Sequence, residues 1–589
     1  MSKGLRTFLL VIGGSFLILL ILVAAVFLIA EIWMRPSIAP NSVLVINLSG
    51  QMPDYVPEDP MADFLLGSQG QSFVSLLTQL RKAKVDPQIG AVLVEINFPQ
   101  IGWAKAEEFR RAIIDVRSSG KPVYAYMEIG SSKEYYIATA ADKIFLPPSG
   151  DLFVTGLMAQ VTFFRGSLDK LGIEPQVIQI GKYKNAPDQF TRKQMSAEHK
   201  EVINAILDDY FNRMVNEIAQ SRNKSPEEVK TLIDQAPFSA KKAKELGLID
   251  NAIYKHQVHE ELKKALGYAE NEDLRLVSAQ RYQKISASWL GLNKGEKIAI
   301  IFGSGPINQG ESEFYLDQTI GSNTMVKAIS EASSDESIKA IVLRIDSPGG
   351  SALASDLIWK AVEDAKAKKP VVVSMSDVAA SGGYYISCNA NKIVAENSTL
   401  TGSIGVFLGK PVLKGFYDWL GISTEYVMRG KNSGLFREAE KWSPEEEAKM
   451  RELANRIYYE EFVPKVAQGR SKSFEEIDSI GQGRVWTGLQ AKERGLVDEI
   501  GGLEKAVEIA KQLAGIAPEK EVQRIAFPRP TPLFQRLLGA EADDVFSEEQ
   551  KLIKSLPESL RKAFRYTQIM QNVGRGDAAM IMPFELTFK

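Results

Sequence analysis

The chain has 589 residues, with 71 Lys and Arg against 73 Asp and Glu, so its formal charge is −2 and it implies no nucleic-acid partner. An apolar share of 45% excludes disorder, and the length exceeds what a single core fills. One cysteine, Cys388, excludes an internal disulfide framework or a thiolate metal cage, and only three histidines, His199, His256 and His259, are available for imidazole chemistry.

Lys3 and Arg6 precede an apolar run from Phe8 to Ala30, interrupted only by Gly13, Gly14 and Ser15. As a helix this run would reach roughly 34 Å, enough for a hydrocarbon core of about 30 Å. It is longer than the apolar region of a cleavable signal, about 7–15 residues, and no clear small-x-small cleavage site precedes Glu31. Residues 1–36 therefore read as a cytoplasmic N-terminus and a retained transmembrane anchor. The basic residues ahead of the span are expected to stay in the cytoplasm, which places the rest of the chain outside, in the periplasm of a bacterial inner membrane.

After the anchor the chain repeats itself. Ile89-Gly90-Ala91-Val92-Leu93-Val94-Glu95-Ile96 aligns with Ile338-Lys339-Ala340-Ile341-Val342-Leu343-Arg344-Ile345 at a spacing of 249. Nearly the same spacing brings Ala141-Asp142-Lys143-Ile144 onto Ala390-Asn391-Lys392-Ile393, Thr155-Gly156 onto Thr401-Gly402, and Ala243–Asp250 onto Ala491–Asp498. Matches in one order mean duplication. Two domains are expected, 40–280 and 296–526, separated by a charged spacer around Tyr268–Lys297 and followed by an extension, 533–589, that carries no usable motif. In each copy short β-branched runs alternate with longer helical stretches: Val43–Leu48, Ala91–Ile96 and Pro122–Met127, then Ile298–Phe302, Ala340–Ile345 and Val371–Met375. Strands that are apolar throughout belong to sheets covered on both faces, so the fold class is α/β.

The copies differ in the loops after those strands. In the second, Asp346-Ser347-Pro348-Gly349-Gly350 and Ala379-Ala380-Ser381-Gly382-Gly383-Tyr384 follow the strands. A helix starting at Gly382 would put Ser381 at its N-terminus, among free backbone N–H groups that favour an oxyanion. Glycines at 349 and 350 would let a second N–H approach a substrate carbonyl, completing a two-donor hole. The first copy has Gln100 and Ile101 in place of Gly349 and Gly350, and its Ser132 is followed by Lys133 and Glu134.

All three histidines fall in the helical stretches of the first copy, so Ser381 needs another base. A buried lysine can serve, because desolvation lowers its pKa from about 10.4 and leaves a neutral amine. Gly181-Lys182-Tyr183-Lys184-Asn185 aligns with Gly430-Lys431-Asn432-Ser433-Gly434 at the same spacing, so the first copy keeps Lys184 where the second has Ser433. The losses are complementary, and one composite Ser/Lys site assembled from both copies accounts for them.

Taken together, Ser347-Pro348-Gly349-Gly350, Ala380-Ser381-Gly382-Gly383, Thr401-Gly402-Ser403 and Tyr183-Lys184 resemble the signal peptide peptidase A family in its long, tandem-repeat form, within the Clp protease and crotonase superfamily. The resemblance spans roughly residues 40–525. It implies two tandem Clp protease/crotonase-like domains after the anchor, with Ser381 as nucleophile, Lys184 as general base, Gly350 and Gly382 as oxyanion donors and Ser403 orienting the lysine. It further implies a serine peptidase that degrades released signal peptides and other unfolded apolar segments beside the membrane, as a ring-like homo-oligomer, a tetramer, with no metal or organic cofactor.

Each residue also has a plainer reading. Ser381 could sit in an ordinary glycine turn, Lys184 could be a solvated loop lysine beside Lys182, and Ser403 could simply start a helix. Lys182 and Lys431 are the nearest rival bases, and Gly349 is the rival donor to Gly350. Cys388 reads as a small apolar helix residue, and His256 with His259 lacks a third metal ligand. Other functions for the same loops are a crotonase-type acyl-CoA hydratase or transferase and a membrane scaffold with a dead site.

Overall fold

The apolar runs form strands because both their faces are covered; five of the six extend past the expected limits, while the run expected at Pro122–Met127 is a strand only over Val123–Tyr126. In a computed structural model that describes residues 38–57, 71–314, 318–529, 578–582 and 587–588, the first repeat contains β1 (Ser42–Gln51), β2 (Ile89–Gln100), β3 (Val123–Tyr126), β4 (Lys143–Leu146), β5 (Glu174–Ile180), β6 (Asn251–Ala252) and β7 (Leu276–Ser278). Six of these make a parallel sheet in the order β6-β4-β3-β2-β1-β7, and β5 leaves it. The expected anchor, Phe8–Ala30, lies outside the described residues, as does most of 533–589. Among the described residues no helix is long and apolar enough to cross a membrane.

The second repeat follows the same plan with β8 (Glu296–Ser304), β9 (Ile338–Ser347), β10 (Gly349–Ser351), β11 (Val371–Ala380), β12 (Lys392–Ala395), β13 (Leu400–Gly402), β14 (Val406–Val412), β15 (Val485–Thr487), β16 (Glu499–Ile500) and β17 (Val522–Phe527). Its main sheet runs β15-β13-β11-β9-β8-β17, with β12 branching from β11 and β16 pairing with β12. Val371–Met375 was the expected strand, but β11 continues to Ala380 because its second half pairs with β13 after a register shift opposite Ile345–Ser347. The strand thus delivers the chain directly to Ser381.

Two features tie the repeats together. Helix α1 (Trp103–Ser118) is buried on more than one face. Phe109 and Ile113 enter the first core, while Lys105, Glu107 and Glu108 bond with residues of the second repeat. The other feature is a sheet shared between the copies, in the order Ile320–Gly321, Ile307–Asn308, β10, β18 (Ala579–Ile581), β14, β5. In it β5 pairs antiparallel with β14 over seven residues, from Glu174↔Val412 to Ile180↔Val406.

The charged spacer is more ordered than its composition suggests. Leu276–Ser278 is the edge strand beside β1, and the buried Lys82 ammonium donates to the carbonyls of Tyr282 and Ile285, each at 2.8 Å. Tyr282 is fully buried and Arg275 donates to the Pro40 carbonyl at 2.9 Å, so the spacer packs onto the first repeat instead of hanging between two domains.

Candidate active site

Ser381 stands between the end of β11 and helix α2 (Gly382–Ser387), with φ 55° and ψ −111°. A non-glycine residue held there costs about 1–3 kcal/mol and persists only where its surroundings over-determine it. Here the Ser381 N–H donates to the Gly402 carbonyl at 2.8 Å, and the Tyr385 N–H donates to the Ser381 carbonyl at 2.8 Å. The result is a fully buried hydroxyl aimed away from the helix rather than capping it.

Lys184 comes from the first repeat, and the β5–β14 pairing delivers it. Four residues past the end of β5 the chain meets the loop at Gln482–Gly483, where the Tyr183 N–H donates to the Gln482 carbonyl at 2.8 Å. A Cβ on Gly483, whose φ is +77°, would lie 2.5 Å from the Lys184 amide nitrogen, so glycine is required for this approach. Lys184 Nζ then lies 2.7 Å from Ser381 Oγ, 3.0 Å from Ser403 Oγ and 3.0 Å from the Ser403 carbonyl. All three side chains are completely buried. Burial alone drives the Lys184 pKa well below the usual lysine value.

Three partners suit a neutral amine, which has two N–H donors and one lone pair. With both N–H groups given to Ser403, the lone pair is left for the Ser381 O–H. Ser403 is itself held at φ 52° by its N–H bond to the Arg484 carbonyl at 2.7 Å, which answers the plain helix-start reading.

The glycine loop is packed against the same place. Gly349 donates its N–H to Ser347 Oγ at 3.1 Å. Gly350 pairs in register across β10 with Met580 of β18, so its N–H faces a backbone carbonyl. A Cβ on Gly382 would lie 3.1 Å from the Gly350 nitrogen, which puts the Gly350 and Gly382 amides side by side. Of the rivals, Lys182 is exposed with its ammonium over the Tyr183 ring, and Lys431 and Ser433 are exposed. Cys388 is buried at the end of α2, where burial pushes its thiol up to about 12. His256 is exposed, and among the described residues no group of three His, Cys, Asp or Glu side chains could hold a metal.

Sequence reasoning missed the charges that hold the site together. Asp346, directly before the Ser347–Gly350 loop, accepts from Lys105 Nζ at 2.8 Å and from the Val378 N–H at 3.1 Å. Asp377 accepts from the Gly102 and Lys105 N–H groups at the start of α1, at 2.8 and 2.9 Å. Arg344, fully buried, bonds Asp54, Glu108, Ser374 and Ser376. Burial by itself would raise Asp54, yet Arg344 and Lys105 beside it bring its pKa down to about 2. The one available signal was Arg344 inside an otherwise apolar strand, since a buried guanidinium demands carboxylates.

Residues 115–268 and 363–517 both match the model of peptidase family S49. Over 533 residues the chain is 37% identical to "Serine protease SPPA, chloroplastic" of Arabidopsis thaliana, covering 90% of this chain and 77% of that one. It is 31% identical to "Protease 4" of Haemophilus influenzae over 507 residues, 83% of this chain and 81% of that one. The chain belongs to peptidase family S49. This S49 chain is a serine peptidase, which sets the acyl-CoA reading aside. ClpP1 of Listeria monocytogenes matches 35% of the S49 chain and 94% of its own length at 18% identity, but with a TM-score of 0.21 the likeness carries no argument.

Proposed function

We propose that this S49 peptidase is a membrane-anchored endopeptidase in which Ser381 is the nucleophile and Lys184 the general base, and that it degrades cleaved signal peptides and other unfolded apolar peptides. The observation that carries the reading is the 2.7 Å contact between a buried Lys184 Nζ and Ser381 Oγ. Neutral Lys184 takes the Ser381 proton as Oγ attacks the substrate carbonyl carbon, and the oxyanion is met by the N–H groups of Gly350 and Gly382. The lysine, now protonated, passes that proton to the leaving amine. Water, activated by the same lysine, then hydrolyses the ester on Ser381. Ser403 keeps the amine on this line by accepting its two N–H bonds through Oγ and the carbonyl.

Residues 1–36 supply the anchor in this reading, the peptidase faces the extracytoplasmic side, and copies assemble into a ring, a tetramer. The support for anchoring is the Phe8–Ala30 run and the basic residues before it. A fluorophosphonate probe is expected to label the purified wild-type protein at Ser381 and to leave Ser381→Ala unlabelled. Equal labelling of both proteins, or none of the wild type, would remove Ser381 as nucleophile.

A further inference from the structure

The turn that carries Lys184 is tied down from behind by a buried knot of side chains that the Ser381–Lys184 chemistry does not use. Asn185 and Asp188 follow the lysine, and Ser196 and His199 stand at the start of helix α3 (Ala197–Arg222); exposure of the four runs from 0% to 9%. The Asn185 amide donates to Asp188 Oδ2 at 3.0 Å and to Ser196 Oγ at 3.3 Å, and the Ser196 hydroxyl donates to Asp188 Oδ2 at 3.3 Å. A carboxylate oxygen can only accept, which fixes the way round of the Asn185 amide. His199 Nδ1 lies 3.7 Å from the same oxygen, and the His199 N–H donates to Ser196 Oγ at 3.1 Å. Arg192, itself half exposed, reaches the other carboxylate oxygen at 3.4 Å.

This knot joins the turn to a rigid body. The Asp188 N–H donates to the Asn185 carbonyl at 2.9 Å, and Ser196 caps α3, whose Val202, Ile203, Ile206 and Tyr210 enter the core of the first repeat. Lys184 is therefore gripped from two sides, by α3 behind and by the Gln482–Gly483 loop of the second repeat in front, where the Tyr183 N–H is bound. A lysine has a flexible four-carbon stem, so the seat of its backbone decides whether Nζ meets Ser381 Oγ at 2.7 Å.

The second repeat, with no base to hold, builds this corner differently. At the spacing of 249 Asn185 becomes Gly434 and Asp188 becomes Arg437. Ser443 caps the equivalent helix as Ser196 caps α3, and counted from the two caps His199 becomes Glu446. There Arg437 Nη1 donates to Glu446 Oε1 at 2.5 Å, and Ser433 on the turn is exposed. The Asn185, Asp188 and His199 set accompanies the lysine and is lost with it. Nor does the knot act on the lysine by charge. Among the described residues Nζ bonds only Ser381 and Ser403, both uncharged, and burial alone lowers its pKa. Around the turn Arg484 pairs with Glu201, Lys182 lies over the Tyr183 ring, and Asp188 is taken up by the knot and Arg192.

Resting on Lys184 as the base, we propose that Asp188, acting through Asn185 and Ser196, is the positioning residue that holds Lys184 on the Ser381 hydroxyl and out of water. Released from the knot, the turn lets Nζ swing away from Ser381 Oγ and lets water reach the amine. A hydrated lysine holds its proton more tightly, so the neutral form is reached only at higher pH.

Hydrolysis of an apolar peptide by the full-length protein in detergent would be followed between about pH 6 and 11 for wild type, Asp188→Ala, the isosteric Asp188→Asn, Arg437→Ala and Lys184→Ala, with thermal melting of each. Asp188→Ala is expected to lose roughly ten- to a hundredfold in kcat at neutral pH with KM within about twofold. Its acid limb is expected at higher pH than that of wild type, so that part of the loss is recovered in alkali. Asp188→Asn, which keeps one acceptor oxygen for the two donors, is expected to fall between Asp188→Ala and wild type on both measures. Arg437→Ala cuts the matching tie in the second repeat and is expected to keep the wild-type kcat and pH profile. A wild-type kcat in Asp188→Ala overturns the positioning role, and so does a loss of the same size at every pH or an Arg437→Ala enzyme with an equally shifted limb. Should Asp188→Ala melt below the assay temperature, Asp188→Asn decides, and an unshifted limb at full kcat overturns the role. Each of these outcomes beside a dead Lys184→Ala leaves the base in place. An active Lys184→Ala enzyme overturns the base and its positioning together.

Discussion

Ser132 and Ser381 stand at the start of short helices in two copies of one fold, yet their hydroxyls meet different partners. Ser132 Oγ donates to the Gly156 carbonyl at 2.8 Å, whereas Ser381 Oγ meets the Lys184 amine. Around Ser132 the space is filled: Lys133 Nζ donates to the carbonyl of Ile101, the residue aligned with Gly350, and Glu134 turns back to cap its own helix at Ser131. Around Ser381 the glycines leave room for a backbone strand, and β18 occupies it. Conversely, the second repeat's counterpart of Lys184 is Ser433, exposed and bonded to the Gly430 carbonyl. Each copy kept the half that the other lost, and β5–β14 pairing lets the halves meet. A site shared in this way depends on both copies staying docked, which is the work of α1 and its buried ion pairs.

The comparison breaks most directly at the two serines. Ser381→Ala is expected to reduce peptide hydrolysis by roughly four orders of magnitude or more, and Ser132→Ala to leave it within about twofold of wild type. Equal losses in steady-state assays of the two would show that the repeats contribute alike.

Next come the lysines. As the proposed base Lys184 must be neutral, and burial lowers its pKa, so activity should be lost as pH falls through that lowered value and should rise as pH climbs through it. Lys184→Arg should be inactive from about pH 6 to 11, since a guanidinium stays protonated throughout. Exposed Lys182→Arg should retain most of the activity and the same pH profile. An active Lys184→Arg enzyme would move the base elsewhere.

A smaller effect sharpens the role of Ser403. Ser403→Ala removes one of the two groups that take the lysine's N–H bonds but leaves the backbone carbonyl, so kcat should drop by roughly ten- to a hundredfold with the mutant still labelled by fluorophosphonate. A change in KM alone would make Ser403 a substrate contact instead of a positioning residue.

The smallest expected effect concerns docking. Glu396, almost fully buried in the second repeat, pairs with Arg111 of α1 at 2.6 Å. Burial, reinforced by the charge of Glu107, raises its pKa to about 8 despite Arg111. A carboxyl raised in the fold favours its protonated form, so its contribution is fully present below the usual value near 4.5 and is lost as pH rises through about 8. Glu396→Gln should therefore match wild type in thermal melting near pH 5 and exceed it at pH 9, by on the order of a few kcal/mol. A Gln variant that melts lower at pH 9 would mean the Arg111 pair outweighs the burial of the charge.

Much of this protein was legible in one dimension. Apolar runs bounded by glycine and charge marked β1, β2, β8 and β9, because a strand covered on both faces has no polar side to display. Duplication exposed the complementary losses at Gly350 and Lys184, since a residue absent from one copy stands out against the other. The spacing of 249 pointed to a site composed from both repeats, but not to the route by which Lys184 reaches Ser381. That required β5 to pair with β14 in a sheet both copies share. Nor could it reveal the ion pairs, because Lys105, Asp346 and Asp377 look like ordinary surface charges until α1 is buried between the repeats. Residues 578–582 were the most hidden of all. A strand held by backbone N–H and carbonyl groups draws on atoms that every residue has, so its partner and register follow from the glycine loop it lies against and have no side-chain signature.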